Sequence, residues 1–133
     1  MSCNVYINFD GDCRAAVEFY QAVFKLDAPE IITYGQMPGS GSGNPLDSER
    51  VLNTMLPIVG SRMMFSDCPS GFPLVKGNNV VITLGFSDAE EIKRVFTELS
   101  HGGDIHFPLE KTFFSEMFGM FTDKFGILWQ VSL

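Results

Sequence analysis

The sequence predicts an α+β fold of two similar modules, each a strand, a helix and three further strands, wrapped around a concave cavity. Three observations predict it. The chain has 133 residues, 45% of them apolar and 19% charged, enough to close a core in one domain without a disulfide or metal staple. Strand-length stretches alternate with two stripes of apolar residues at helical spacing. The strand, cap and stripe of the first half return 75 residues later: Asn4, Val5 and Ile7 align with Asn79, Val80 and Ile82, Asp12 with Ser87, and Val17, Tyr20 and Phe24 with Ile92, Val95 and Leu99. Chance identities would seldom align cap and stripe as well.

In chain order, Val5, Ile7 and Phe9 alternate with Tyr6 and Asn8, the pattern of a half-buried strand. Gly11 and Asp12 end it, and Asp12 is expected to cap the following helix through its carboxylate. Cys13, Ala16, Val17, Tyr20 and Phe24 form that helix's apolar stripe to about Lys25, with Pro29 beyond. Strands are expected at about 30–35, 50–58 and 62–66. Residues 36–47 hold the Gly/Ser-rich run between Pro38 and Pro45, which suits a loop and neither helix nor central strand. In the second half a strand is expected at about 79–84. Ser87 and Glu90 then have the spacing of a capping box, Ile92, Val95, Phe96 and Leu99 make one stripe, and Gly102-Gly103 supplies the stop. Strands at about 104–108, 118–122 and 127–132 complete the module. A second echo, Met64 to Asp67 against Met120 to Asp123, has a different offset.

One helix covers only one face of its sheet. With Val5, Ile7 and Phe9 under the first helix, Asn4, Tyr6 and Asn8 face the cavity. By the repeat so do Asn79, Val81 and Thr83, and on the last strand Leu128, Gln130 and Ser132.

Composition excludes several partners. The net charge is -7 without any cluster of Lys or Arg, so nucleic acid is not expected. No run approaches the ~20 apolar residues of a bilayer span, and none resembles a secretion signal. Three cysteines, Cys3, Cys13 and Cys68, without a CxxC pair, fit neither a disulfide framework nor a thiolate zinc site. A soluble cytoplasmic protein is expected.

Catalytic signals are sparse. His101 sits where a helix C-terminus accepts an imidazole, and His106 beside Phe107-Pro108 suits a hydrogen-bonded surface role. Asp10/Asp12 and Glu90/Glu91 fall at turns and helix starts, where capping accounts for them. No Gly-x-Ser-x-Gly elbow exists, and Cys13 belongs to a core stripe. Phe113, Phe114, Phe118 and Phe121 with Met117 and Met120 suit core or a dimer interface. Glu116, the only charge in that run, suits either a pocket or solvent.

The stretch Tyr6 to Gly11, Glu18-Phe19-Tyr20, Gly77-Asn78-Asn79, Pro108 to Phe114 and Phe118 to Gln130 resemble the PhnB-like branch of the vicinal oxygen chelate superfamily, which includes glyoxalase I, bleomycin-resistance proteins and extradiol dioxygenases. The resemblance spans nearly the whole chain. It implies a single domain, residues 1–133, with module 1 at about 4–67 and module 2 at about 78–133. These modules would form a glyoxalase-like curved sheet, and the chain a homodimer. The branch also carries a demethylubiquinone methyltransferase name, but no Gly-rich strand-to-helix turn offers a cradle for S-adenosylmethionine. Metal-dependent relatives place ligands at positions that fall here near Asn4, Met64 or Phe65, Asn79 and Gln130. Only Gln130 is of a ligand type, and a side-chain amide is a weak donor to transition metals. Relatives often have Trp where Phe114 stands and His where Asn53 stands.

The expected function is therefore the binding of a small molecule in a metal-independent cavity, without cofactor. Tyr6, Asn8, Asn53, Phe114, Glu116 and Gln130 are its candidate lining, and residues 36–47 its partial closure. No catalytic residue is assigned, and whether a reaction follows binding stays open. The alternatives are a metal-dependent lyase or isomerase of glyoxalase type and a drug-sequestering protein of bleomycin-resistance type, whose negative charge would attract a cation.

Overall fold

The computed structural model describes residues 1–37 and 47–133. Residues 38–46, most of the segment expected to close a cavity, lie outside the described residues. The fold is α+β and glyoxalase-like: among the described residues two compact units, Met1–Val75 and Lys76–Leu133, each hold a four-stranded mixed sheet and one α-helix, and neither sheet closes into a barrel. No described helix is long and apolar enough to cross a membrane.

The first unit contains β1 (Val5–Phe9), α1 (Cys13–Val23), β2 (Ile32–Thr33), β3 (Val51–Ile58) and β4 (Ser61–Asp67), with sheet order β1-β4-β3-β2. β1 pairs with β4 in parallel, and the other neighbours are antiparallel. The stripe Cys13, Ala16, Val17, Tyr20 and Val23 is buried against β3 and β4. There Tyr20 and Phe9 meet Phe65 with ring centroids 5.8 and 6.4 Å apart.

Asp12 occupies the N-cap position of α1, but its side chain makes no capping bond. Asp67 does that work instead. The parallel register sets Phe9 opposite Asp67 and brings this carboxylate under the first turn. Its Oδ1 accepts from the amides of Gly11 and Cys13 at 2.8 and 3.0 Å, and its Oδ2 from Val51 at 2.9 Å. Asp10 is not a cap either: it pairs with the Arg50 guanidinium at 2.9 Å. Arg50 also donates to the Cys68 carbonyl and meets Asp47 at 3.4 Å.

The second unit contains β5 (Ile82–Gly85), α2 (Ala89–Ser100), β6 (Asp104–Glu110), β7 (Phe118–Thr122) and β8 (Leu128–Ser132), in the order β5-β8-β7-β6, with β5 parallel to β8. The expected strand from 79 begins at Ile82, and Val80 stays exposed. The Ser87–Glu90 capping box does not form. Helix α2 starts one residue later than the repeat implies, and Asp88 caps it, accepting from Glu90 and Glu91 amides at 3.4 and 3.3 Å. Glu90 and Glu91 themselves pair with Lys93 and Arg94 along the helix surface. β6 continues past Pro108 to Glu110. An edge strand tolerates the missing amide, and two register shifts break its ladder with β7.

The Met64–Asp67 and Met120–Asp123 stretches lie on strands with different places in their sheets, yet their carboxylates act alike. Asp123 follows β7, is buried, and accepts from Phe125 and Ile127 amides at 2.8 and 3.0 Å and from Trp129 Nε1 at 2.8 Å. Gly119 is required by close approach, because a Cβ there would strike the Phe96 ring. That ring packs edge-on to Phe121 at 5.3 Å.

Candidate functional site

In the first unit the helix-free face of the sheet carries the predicted residues. Tyr6, Met64 and Met55 stand opposite one another across β1, β4 and β3, and paired residues share a face. Tyr6 is 47% exposed. Two residues further along β1, the Asn8 Oδ1 accepts from the Ser66 hydroxyl at 2.9 Å, which leaves the Asn8 amide NH2 as a donor. Asn53, two residues from Met55, lies on the same face and is exposed.

Asn53 also lines a pocket of about 210 Å³ with Glu30, Ile32, Thr54 and Met55. The pocket opens where β2 departs from β3: only Ile32 and Thr33 pair, with a register shift between them. The Thr54 hydroxyl donates to the Glu30 carbonyl at 2.8 Å and holds that segment against β3.

In the second unit Gln130 occupies the middle of the helix-free face, opposite Thr83 on one side and Met120 on the other. Its Nε2 donates to Thr83 Oγ1 at 2.8 Å and leaves Oε1 as an acceptor. Phe114 and Glu116 lie on the connection from β6 to β7. Phe114 is 60% exposed and stacks edge-on with Phe113 and Phe118 at 5.1 and 5.2 Å. Glu116 is exposed, 4.0 Å from Lys111 Nζ. Of the Phe/Met run only Phe121 is fully buried, while Phe113 and Phe114 are exposed.

Thus Tyr6, Asn8 and Asn53 share one face in the first unit, and in the second unit Gln130 lies on the sheet while Phe114 and Glu116 lie on a connection. Sequence reasoning missed Glu30, Ile32 and Met55. Alternation places Met55 on the face of Asn53. Nothing local signals the β2 register shift that makes the pocket.

The positions that hold metals in the resembling proteins do not fit a transition metal here. Met64 is on the helix-free face and Phe65 is fully buried beneath α1, which resolves the register. The donors are then amides and a thioether at Asn4, Met64, Asn79 and Gln130, where imidazole, carboxylate or thiolate is preferred. Among the described residues no three His, Cys, Asp or Glu side chains come together.

Nucleophiles are equally muted. Cys13 is fully buried, and burial first, then the charges of Asp67 and Asp12, push its thiol pKa far up, so it stays protonated. Burial also raises the pKa of Tyr34, whose hydroxyl donates to the Asp67 carbonyl at 2.8 Å. His106 Nε2 lies 2.7 Å from Thr122 Oγ1. His101 ends α2, where only its backbone amide bonds back, to Glu98.

A model of the family described as 3-demethylubiquinone-9 3-methyltransferase matches residues 2–132. Protein YjdN of Escherichia coli (strain K12) is 32% identical over 142 residues, covering 100% of this chain and 95% of that protein. Among solved structures, protein PA1353 from Pseudomonas aeruginosa is similar with a TM-score of 0.88 and 28% identity, covering 99% of this chain and 96% of that one. The PhnB protein from Bacillus cereus, described by the same methyltransferase name, has a TM-score of 0.80 and 26% identity, covering 100% of this chain and 99% of its own.

Proposed function

The chain belongs to the family described as 3-demethylubiquinone-9 3-methyltransferase, within the PhnB-like branch of the vicinal oxygen chelate superfamily, and from that premise we propose that it binds a small organic molecule without a metal ion. Tyr6, Asn8, Asn53, Phe114, Glu116 and Gln130 supply the hydrogen bonds and apolar walls. The observation that carries this reading is the helix-free face of the first sheet, where Tyr6, Asn8 and Asn53 stand together beside a pocket. Asn8 offers a donor there, and Gln130 offers an acceptor on its own sheet. Such a mix of apolar wall and few polar groups is the usual lining of a ligand site.

The family's name implies a methyl donor, and S-adenosylmethionine does not fit the strand-to-helix turns. The amides at the start of α1 are taken by Asp67, and those of α2 by Asp88. No amide-lined, Gly-rich cradle remains at either turn. We derive no methyl transfer.

The reading includes one domain, a homodimer and a cytoplasmic location. Three free cysteines support a reducing compartment, and exposed Ile105, Phe107 and Phe113 support burial against a second copy.

The test is a ligand screen by thermal shift on chain purified without chelator. Hits are expected to bind equally well in EDTA and to weaken about tenfold in Asn8→Ala and Gln130→Ala, the effect of one lost hydrogen bond. Stoichiometric zinc, nickel, iron or manganese in the purified chain, or binding abolished by EDTA, overturns the reading.

A further inference from the structure

We infer that the pocket beside Asn53 is a subsite for an alkylammonium group, the cationic end of the molecule this protein binds. The inference rests on the reading of Asn53 as a ligand-binding residue and adds the charge class of the ligand.

The pocket's only ionisable lining group is the Glu30 carboxylate. No ion pair engages Glu30 among the described residues, while its backbone is tied to β3 through the Thr54 hydroxyl. The backbone bond thus keeps Glu30 at the pocket, and no ion pair among the described residues neutralises its carboxylate. The surrounding unit deepens the negative potential: residues 1–75 contain eight Asp and Glu against four Lys and Arg. One of those four, Arg50, is already held by Asp10 and Asp47. An anion would meet an uncompensated charge here, and a neutral donor would gain a hydrogen bond without the Coulomb attraction a cation adds.

The remaining lining suits an amine on a short methylene stem. An ammonium group has three donors and no acceptor. Glu30 supplies acceptors, and the Asn53 side-chain oxygen supplies another. Ile32 and Met55, both exposed, flank the polar end with apolar surface, and a thioether adapts to an alkyl chain. At about 210 Å³ the space is below the few hundred Å³ of a whole-ligand site, so it holds one end of a larger molecule.

The test is a titration of the full chain with n-butylammonium chloride, butan-1-ol and sodium butyrate, followed by amide NMR. n-Butylammonium is expected to shift the amides of Glu30, Ile32, Asn53 and Met55. It should bind about fivefold tighter than the alcohol at low salt, the advantage of one partly solvated ion pair, and butyrate least. Raising the salt concentration should erase that advantage, Glu30→Gln should reduce the cation to the level of the alcohol, and Glu18→Gln, an exposed acid on α1, should leave it unchanged. Equal binding of cation and alcohol, retention of the preference in Glu30→Gln, or shifts confined to other residues overturns the inference. Those results leave metal-independent binding at Asn8 and Gln130 standing. The converse result, cation binding at Glu30 with screen hits insensitive to Asn8→Ala and Gln130→Ala, removes the broader reading and retains the charged subsite.

Discussion

Asp67 and Cys13 show where single residues are legible in a sequence. The burial of Cys13 follows from its place on an apolar stripe and is readable from spacing alone. The role of Asp67 is not, because its three amide partners lie 56, 54 and 16 residues away and meet it only once β1 and β4 pair in parallel. Tyr6 and Asn8 were readable by alternation, whereas Glu30 was not, since a register shift decides its surroundings. Cys13 yields a pH prediction. Its folded pKa is raised by burial and by the charges of Asp67 and Asp12, while an unfolded thiol titrates near ~8.5. The stabilisation is therefore complete below that value and declines as pH rises above it, by about 1.4 kcal/mol per pH unit. Urea unfolding between pH 8 and 10 should show this decline, and Cys13→Ala should flatten it. An unchanged slope in the variant would assign the effect elsewhere.

At the scale of elements, the sequence reading located the eight described strands and both described α-helices, and the failures were at their ends: the strand expected at 30–35 shrinks to Ile32–Thr33, and Tyr34–Gln36 form a turn of 3-10 helix instead. The expected start at 79 became Ile82. Capping moved from Ser87 to Asp88 because α2 begins later than the repeat suggests. The β3–β4 hairpin turns through Val59 and Gly60 with φ of 46° and 79°, between paired Ile58 and Ser61. Two positive φ values suit a two-residue turn that follows the strand twist, and Gly60 adopts its conformation freely. A β-branched residue does not, so Val59 holds strain. Val59→Asn should raise unfolding free energy by about 1 kcal/mol in urea, with the hairpin amide pattern intact. A loss of stability would mean that Val59 makes apolar contacts worth more than its strain.

For the molecule as a whole, the 75-residue repeat foretold two sheets of like topology, and the C-terminal motif pointed to the family. What the repeat does not convey is chemistry, because the two halves share their apolar core positions more than they share their helix caps or the residues of their helix-free faces: Tyr6 and Asn8 correspond to Val81 and Thr83. The family name suggests methyl transfer, but Asp67 and Asp88 engage the first amides of α1 and α2. S-adenosylmethionine at 1 mM should accordingly leave the melting temperature within about 1 °C of the free chain, as expected of a molecule that does not prefer the native state. A saturable upward shift would reinstate the methyl donor. The outermost strand of the second sheet carries a different consequence. Pro108 has no amide hydrogen to offer, and register shifts break the ladder before it, between Ile105 and Phe107, and around it, between Phe107 and Glu110. A stray extended chain meeting this rim finds a broken template, so this edge of the second sheet is guarded against adding strands from its neighbours.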